Sequence, residues 1–71
     1  MAKKLLNFIQ AMAAIHQGKK IQGESWSSDE FWFYENNQLS QNYGQIVDET
    51  NTPATLEEIQ DNLESEFYII K

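Results

Sequence analysis

Apolar side chains recur at helical spacing near the start of the chain. The repeat predicts a helix over residues 3–17, because positions three and four apart lie on one face of a helix. Alanines inside this stretch favour the helix, and Gly18 stands where a glycine commonly ends one. We expect the apolar face to pack on the core. Its members are Leu5, Phe8, Ile9, Met12 and Ile15.

Short alternating runs in the rest of the chain predict strands. They cover residues 19–22, 30–35, 39–43, 45–48 and 66–70. A loop over residues 23–29 carries Trp26, and the amide-rich residues 35–38 predict a tight turn, because Asn tolerates the left-handed backbone conformation. The last run is rich in β-branched and aromatic side chains, so we expect it to pair centrally in the sheet.

The run at residues 30–35 reads EFWFYE and holds four consecutive aromatic rings. A strand sends alternate side chains to opposite faces, so Phe31 and Phe33 point one way and Trp32 and Tyr34 the other. We expect the two phenylalanines to face the helix and the core. That arrangement leaves Trp32 and Tyr34 on a second aromatic face.

A second helix is predicted to open at Thr55. The Thr55 hydroxyl and Glu58, three residues on, form a capping-box pattern, and acids in a first turn suit the helix dipole. A narrow apolar stripe follows at Leu56, Ile59 and Leu63. Together the elements predict the α+β class: an N-terminal helix and a short second helix packed on a small antiparallel sheet, in a single domain over residues 1–71.

The length of the chain limits its core. It has 71 residues and no cysteine. A chain of this size buries only about 60% of its unfolded surface, and it has no disulfide to add stability, so we expect a homo-oligomer. No stretch approaches the roughly 20 apolar residues that span a bilayer, and the apolar start lacks a cleavage site. We therefore expect a soluble, cytoplasmic protein with no membrane partner.

Charge is unevenly distributed along the chain. Residues 1–23 carry four lysines and no acid, for a charge of +4, whereas residues 24–71 carry eleven acids and one lysine, for a charge of −10. Arginine is absent. Nucleic acid is not an expected partner, because affinity for it depends on neutralising phosphates. The negative charge of residues 24–71 is complementary to a basic surface on another protein.

Catalytic and metal-binding patterns are missing. His16 is the single imidazole, and no cysteine or second histidine stands at a metal-ligand spacing. The serines lack a nucleophile elbow. We expect His16 to be structural at the end of the first helix and the carboxylates to form a solvated face. The protein is predicted to be no enzyme and to need no metal or cofactor.

Aromatic and amide side chains are the chemistry that remains. Rings stack on nucleobases, amides and hydroxyls bind ribose and base edges, and lysines bind phosphates. The alternative is an oligomer interface, where Trp and Tyr are also enriched, and composition favours it over a small-molecule pocket. Both can hold, since pockets often form between subunits. The candidate ligand-binding residues are Lys19, Lys20, Trp26, Trp32, Tyr34, Asn37 and Tyr43.

Both ends of the chain resemble one family. The opening NFIQAMAAIHQGKKI, followed by Trp26, and the closing EEI and EFYII segments are similar to the Thoeris anti-defence type 2 family of phage proteins. The resemblance implies a small, non-enzymatic α+β oligomer with ligand pockets where subunits meet. It also implies an immune-evasion function in the host cytoplasm, as a sponge that binds and sequesters a cyclic nucleotide or ADP-ribose-derived signal.

Three functional hypotheses follow. The first is this nucleotide-signal sponge, based on the resemblance and the aromatic and amide residues. The second is an acidic protein-binding inhibitor that blocks a basic or nucleic-acid-binding surface of a host protein, based on the −10 charge of residues 24–71. The third is a structural or assembly protein whose second aromatic face only forms an oligomer.

Overall fold

One helix packed across a four-stranded antiparallel sheet organises the chain, as the predicted α+β class requires. The computed structural model describes residues 4–70. In chain order the elements are α1 (Phe8–His16), β1 (Lys20–Gly23), β2 (Trp32–Tyr34), β3 (Ile46–Asp48), α2 (Leu56–Asp61) and β4 (Phe67–Ile70). The strand order in the sheet is β3-β2-β1-β4.

Helix α1 begins later than residues 3–17 predicted, and residue 3 lies outside the described residues. Asn7 is the N-cap: its side chain accepts a hydrogen bond from the Gln10 backbone N–H, and the Gln10 side chain accepts one from the Asn7 N–H. This reciprocal pair satisfies donors that the first helical turn leaves unpaired. Leu6 instead forms an isolated bridge with Phe67. Gly18, at φ 89°, follows the helix as predicted.

The sheet corrects two strand predictions. Residues 39–43 form no strand: the backbone makes consecutive turns there, and Ile46–Asp48 is the strand that returns beside β2. Gly44, at φ 83°, donates its N–H to the carbonyl of Glu35 and closes this loop. The closing strand β4 lies at an edge, not centrally, because β1 occupies the position between β2 and β4.

Helix α2 forms as its capping pattern predicts. The Thr55 side chain accepts from the Glu58 N–H, and Glu58 Oε1 accepts from the Thr55 N–H. The predicted apolar stripe is wrong, however. Leu56 and Leu63 are 70% and 51% exposed, and Ile59 alone of the three packs against the core. A helix of six residues is too short to bury a full apolar face.

The aromatic faces of β2 are the reverse of the prediction. Trp32 is 4% exposed and belongs to the core, whereas Phe31 and Phe33 are half-buried on the other face. The reason is register: Trp32 pairs with Ile21, which is fully buried, and cross-strand neighbours share a face. Tyr34 lies on the same face as Trp32, with its ring centroid 4.9 Å from that of His16.

Because the two faces of β2 are reversed, truncation of Trp32 and of its neighbour Phe31 should lower the free energy of unfolding by different amounts. Trp32→Ala should lower the free energy of unfolding by about 3–5 kcal/mol, because it empties a buried site. Phe31→Ala should lower it by less than about 2 kcal/mol, because its ring keeps solvent contact. Urea denaturation followed by circular dichroism measures both. A larger loss for Phe31→Ala would restore the sequence-based assignment of the two faces.

Candidate functional site

A cleft of about 200 Å³ opens between α2 and the adjoining ends of β2 and β3. Its lining combines two indole rings, one amide and five carboxylate side chains. The lining residues are Trp26, Glu30, Trp32, Asp48, Glu49, Glu58, Asp61 and Asn62. Three separate segments of the chain therefore contribute acids to one opening: the start of β2, the end of β3, and α2.

Trp26 forms one wall because the turn after β1 folds it back over Gly23. Its backbone N–H donates to the Gly23 carbonyl at 3.0 Å. A methyl group at Gly23 would lie under 3.0 Å from three indole atoms of Trp26, so only glycine leaves room for the ring. The indole N–H then donates to Asn62 Oδ1 at 3.3 Å, which ties this wall to the end of α2.

Trp32 connects the cleft to the core. Its ring meets that of Trp26 edge-on, with centroids 4.8 Å apart, and it also lies 6.4 Å from the ring of Phe67. In the sheet it pairs with Asp48 on β3. The two indoles thus form an apolar surface with an acid directly beside it.

Three glutamates of the cleft are held by backbone donors. Glu30 Oε1 accepts from the Ser27 N–H at 3.1 Å, and Glu49 Oε1 accepts from the Phe31 N–H at 3.2 Å. Glu58 Oε1 caps α2, as described above. In each case one carboxylate oxygen is used and the other makes no hydrogen bond within residues 4–70.

Asp48 is the most strongly hydrogen-bonded acid of the cleft. Its Oδ1 accepts from the Thr50 hydroxyl at 2.6 Å, from the Thr50 N–H at 2.9 Å and from the Thr52 N–H at 3.1 Å. The Thr50 hydroxyl, with these backbone N–H groups, lowers the pKa of Asp48 below its ordinary value of 3.8, despite the opposing effect of desolvation. Asp48 is therefore ionised at neutral pH.

The cleft carries negative charge without compensation from the described residues. Among residues 4–70, no lysine nitrogen lies within 4.0 Å of a cleft carboxylate oxygen. Carboxylates gathered around low-dielectric rings focus a negative potential, which attracts cations and repels phosphates. Within the same part of the chain, no group of three or more His, Asp or Glu side chains is arranged to hold a metal ion.

The structure separates the seven predicted ligand-binding residues. Trp26 and Trp32 line the cleft together. Tyr34 lies against His16. The Lys20 ammonium is 4.8 Å from the centroid of the Phe31 ring, on the sheet face away from α1, and Lys19 is exposed beside β1.

The remaining two predicted residues lie in the loop between β2 and β3. Asn37 accepts from the Leu39 N–H there, and Tyr43 is 51% exposed. The acids that line the cleft were not among the predicted ligand-binding residues. The net charge of residues 24–71 was the one sequence feature that indicated these acids. It does not show which carboxylates lie together in the folded chain.

Comparison of the chain with protein-family models, with curated proteins and with solved structures finds no match. Across residues 4–70, no helix is both long and apolar enough to cross a membrane.

The hydrogen bond from the Thr50 hydroxyl predicts a specific titration change. Thr50→Val removes that donor, so the pKa of Asp48 should rise toward its ordinary value. A depressed pKa stabilises the fold above the unfolded-state pKa, and this contribution is lost as pH falls through the folded-state pKa. The variant should therefore be less stable than the parent near neutral pH, and the difference should vanish in strong acid.

Carboxyl ¹³C NMR measures the Asp48 titration directly. Thr52→Val is the matched control, because Thr52 contacts Asp48 through its backbone N–H, which valine keeps, and the Thr52 hydroxyl bonds the Thr50 hydroxyl, not the carboxylate. Its effect on the Asp48 pKa should therefore be much smaller. An unchanged Asp48 pKa in Thr50→Val, or an equal rise in Thr52→Val, would contradict the assignment.

Proposed function

We propose that this protein is a non-enzymatic binding protein that uses its acidic cleft to engage a basic surface of a partner protein, as in the second sequence-based hypothesis. The observation that carries the proposal is the convergence of five carboxylate side chains and two indoles on one opening. Electrostatic complementarity of this kind speeds association and selects partners by charge. A protein that occupies a basic surface also keeps nucleic acid from binding there.

The size of the cleft supports a protein partner over a nucleotide at this position. Pockets for small molecules usually measure about 300–1,000 Å³. The cleft here has about 200 Å³, which suits one side chain. Its carboxylates would also repel a pyrophosphate, whose charge has the same sign.

Charge variants inside and outside the cleft test this proposal. Glu58→Gln with Asp61→Asn removes two cleft charges while it keeps the shape of both side chains. Glu57→Gln with Glu64→Gln removes two exposed charges that do not line the cleft. Binding of a fluorescent oligolysine peptide, followed by anisotropy, should weaken about tenfold in the cleft variant, and much less in the control.

Salt provides the second measurement. Affinity of the parent protein should fall steeply between low ionic strength and about 0.5 M salt, because screening acts on exposed charges. Equal weakening in both double variants would show a general charge effect and would remove the cleft from the proposal. Absence of any binding at low salt would overturn the proposed function.

The opposite face of the sheet favours a second candidate, the nucleotide-signal sponge. Lys20 lies over the Phe31 ring there, and the Phe31 and Phe33 rings are 6.0 Å apart between centroids. The lysine ammonium can bind a phosphate, and the half-buried rings beside it can stack on a base. In this candidate, a second copy of the chain completes the pocket and the protein acts in the host cytoplasm during phage infection.

Calorimetric titration with ADP-ribose and its cyclic derivatives tests the sponge. Binding is expected for the parent protein, and Lys20→Ala should abolish it by removing the charge over Phe31. Lys4→Ala, which removes another exposed lysine near the start of the described residues, is the control. A parent protein that binds none of these compounds would eliminate this candidate.

A further inference from the structure

We infer that the outer face of the sheet, the face away from α1, is a two-fold interface with a second copy of this chain. In this interface the β1 strands of the two copies run antiparallel, and Lys20 of each copy lies opposite Glu24 and Glu66 of the other. The inference goes beyond the proposed function and does not depend on it. Two features of the outer face carry it: its apolar centre and the separation of its charges.

Apolar and aromatic side chains occupy the centre of the outer face. Ile21 and Trp32 pair across β1 and β2 and point into the core under α1, so the residues on either side of them point outward. An antiparallel sheet with one solvated face normally carries polar side chains on that face. Here the outer face carries Phe31, Phe33, Val47, Tyr68 and Ile70. This composition indicates a surface that another protein covers.

The side chains of this apolar centre are still partly open to solvent. The Phe31 and Phe33 ring centroids are 6.0 Å apart, and the Lys20 ammonium lies 4.8 Å from the centroid of the Phe31 ring. The Lys20 stem therefore lies along the face and adds to its apolar area. Phe31, Phe33, Tyr68 and Ile70 are all half-buried. A partner that covers them removes apolar area from water, which is the main driving force of association.

The charges of the outer face lie at opposite ends of β1. Lys20 begins this strand and Glu24 follows its end. The Glu24 N–H donates to the Glu66 carbonyl, which continues the ladder between β1 and β4 by one pair. Because Phe67 points inward, this pair sets two exposed glutamates side by side on the outer face, about 13 Å along the strand from Lys20. Among residues 4–70, Lys20 has no carboxylate oxygen within 4.0 Å.

This charge pattern is complementary to itself. A two-fold axis that crosses the strands at Gln22 brings the lysine end of one copy over the glutamate end of the other, at both ends of the interface. Packed sheets stand about 10 Å apart, a gap that a lysine and a glutamate side chain span together. A partner surface with a single sign of charge would be repelled at one end, so a second copy fits this face better. The acidic cleft lies on the α1 side of the sheet and stays open in the dimer.

Complementary charge reversals test the interface. Lys20→Glu alone, and Glu24→Lys with Glu66→Lys, should each raise the dimer dissociation constant about tenfold, because each sets like charges opposite one another. Mixing the two variants should restore the dimer, since the mixed pair again sets lysine against glutamate at both ends. Sedimentation equilibrium measures the mass against that of the 8.3 kDa chain, and circular dichroism checks that each variant folds.

Lys19→Glu is the matched control for Lys20→Glu. It makes the same charge change one residue earlier, where strand alternation directs the side chain to the other face. This variant should keep the dissociation constant of the parent protein. NMR spectra recorded during dilution of the parent supply a readout that needs no variant. The ring resonances of Phe31 and Tyr68 should shift as the dimer dissociates, and the Trp26 indole N–H in the cleft should stay nearly unmoved.

Each outcome either supports or overturns the inference. A parent protein that stays monomeric up to its solubility limit would overturn it. Equal weakening by Lys19→Glu and Lys20→Glu, or a mixture of the charge-reversed variants that stays monomeric, would overturn the assignment of the outer face. Oligolysine binding by the monomeric Lys20→Glu variant tests the acidic cleft separately, so the dimer and the proposed function fail or stand independently.

Discussion

The burial of Trp32 beside Ile21 decides the rest of this structure. A strand offers two faces, and the pairing of these two residues commits the indole to the side that α1 covers. Phe31 and Phe33 must then lie on the other face, where Lys20 lies over the Phe31 ring. Trp32 is also the first residue of β2, so its ring lies at that end of the strand. There it provides the surface against which Trp26 packs. The buried Trp32 side chain therefore belongs to both the core and the cleft.

The cleft is organised by local hydrogen bonds more than by contacts between its acids. A cap on α2, a turn after β3 and backbone N–H groups near β2 each hold one carboxylate. Such bonds fix the position of each carboxylate, which limits the reorganisation needed when a cation arrives. The residue types that orient these acids are common in turns and caps. The acidic cleft therefore results from hydrogen bonds that are ordinary in turns and helix caps, and the carboxylates they hold surround two indole rings.

The two faces of the sheet differ in charge, and this difference bears on both candidate functions. Acids surround the opening beside α2, whereas Lys20 marks the opposite face. An anionic ligand and a cationic one would thus occupy separate surfaces. A chain this small gains stability from any partner that binds only its folded form, so association on either face also adds to its stability.

Local sequence determined the class, the helix signals and several loops. The capping box at Thr55, the glycine after α1 and the strand at Ile46–Asp48 all rest on short-range chemistry and agree with the structure. Other features depend on contacts between residues distant in sequence. They are the strand order, the face of β2 that points inward, and the convergence of Glu30, Asp48 and Asp61 on one cleft. They depend on register and on which residues distant in sequence pack together, and periodicity carries no information about either. The composition shows that the protein is acidic. Tertiary packing alone decided which of its acids lie together around the cleft.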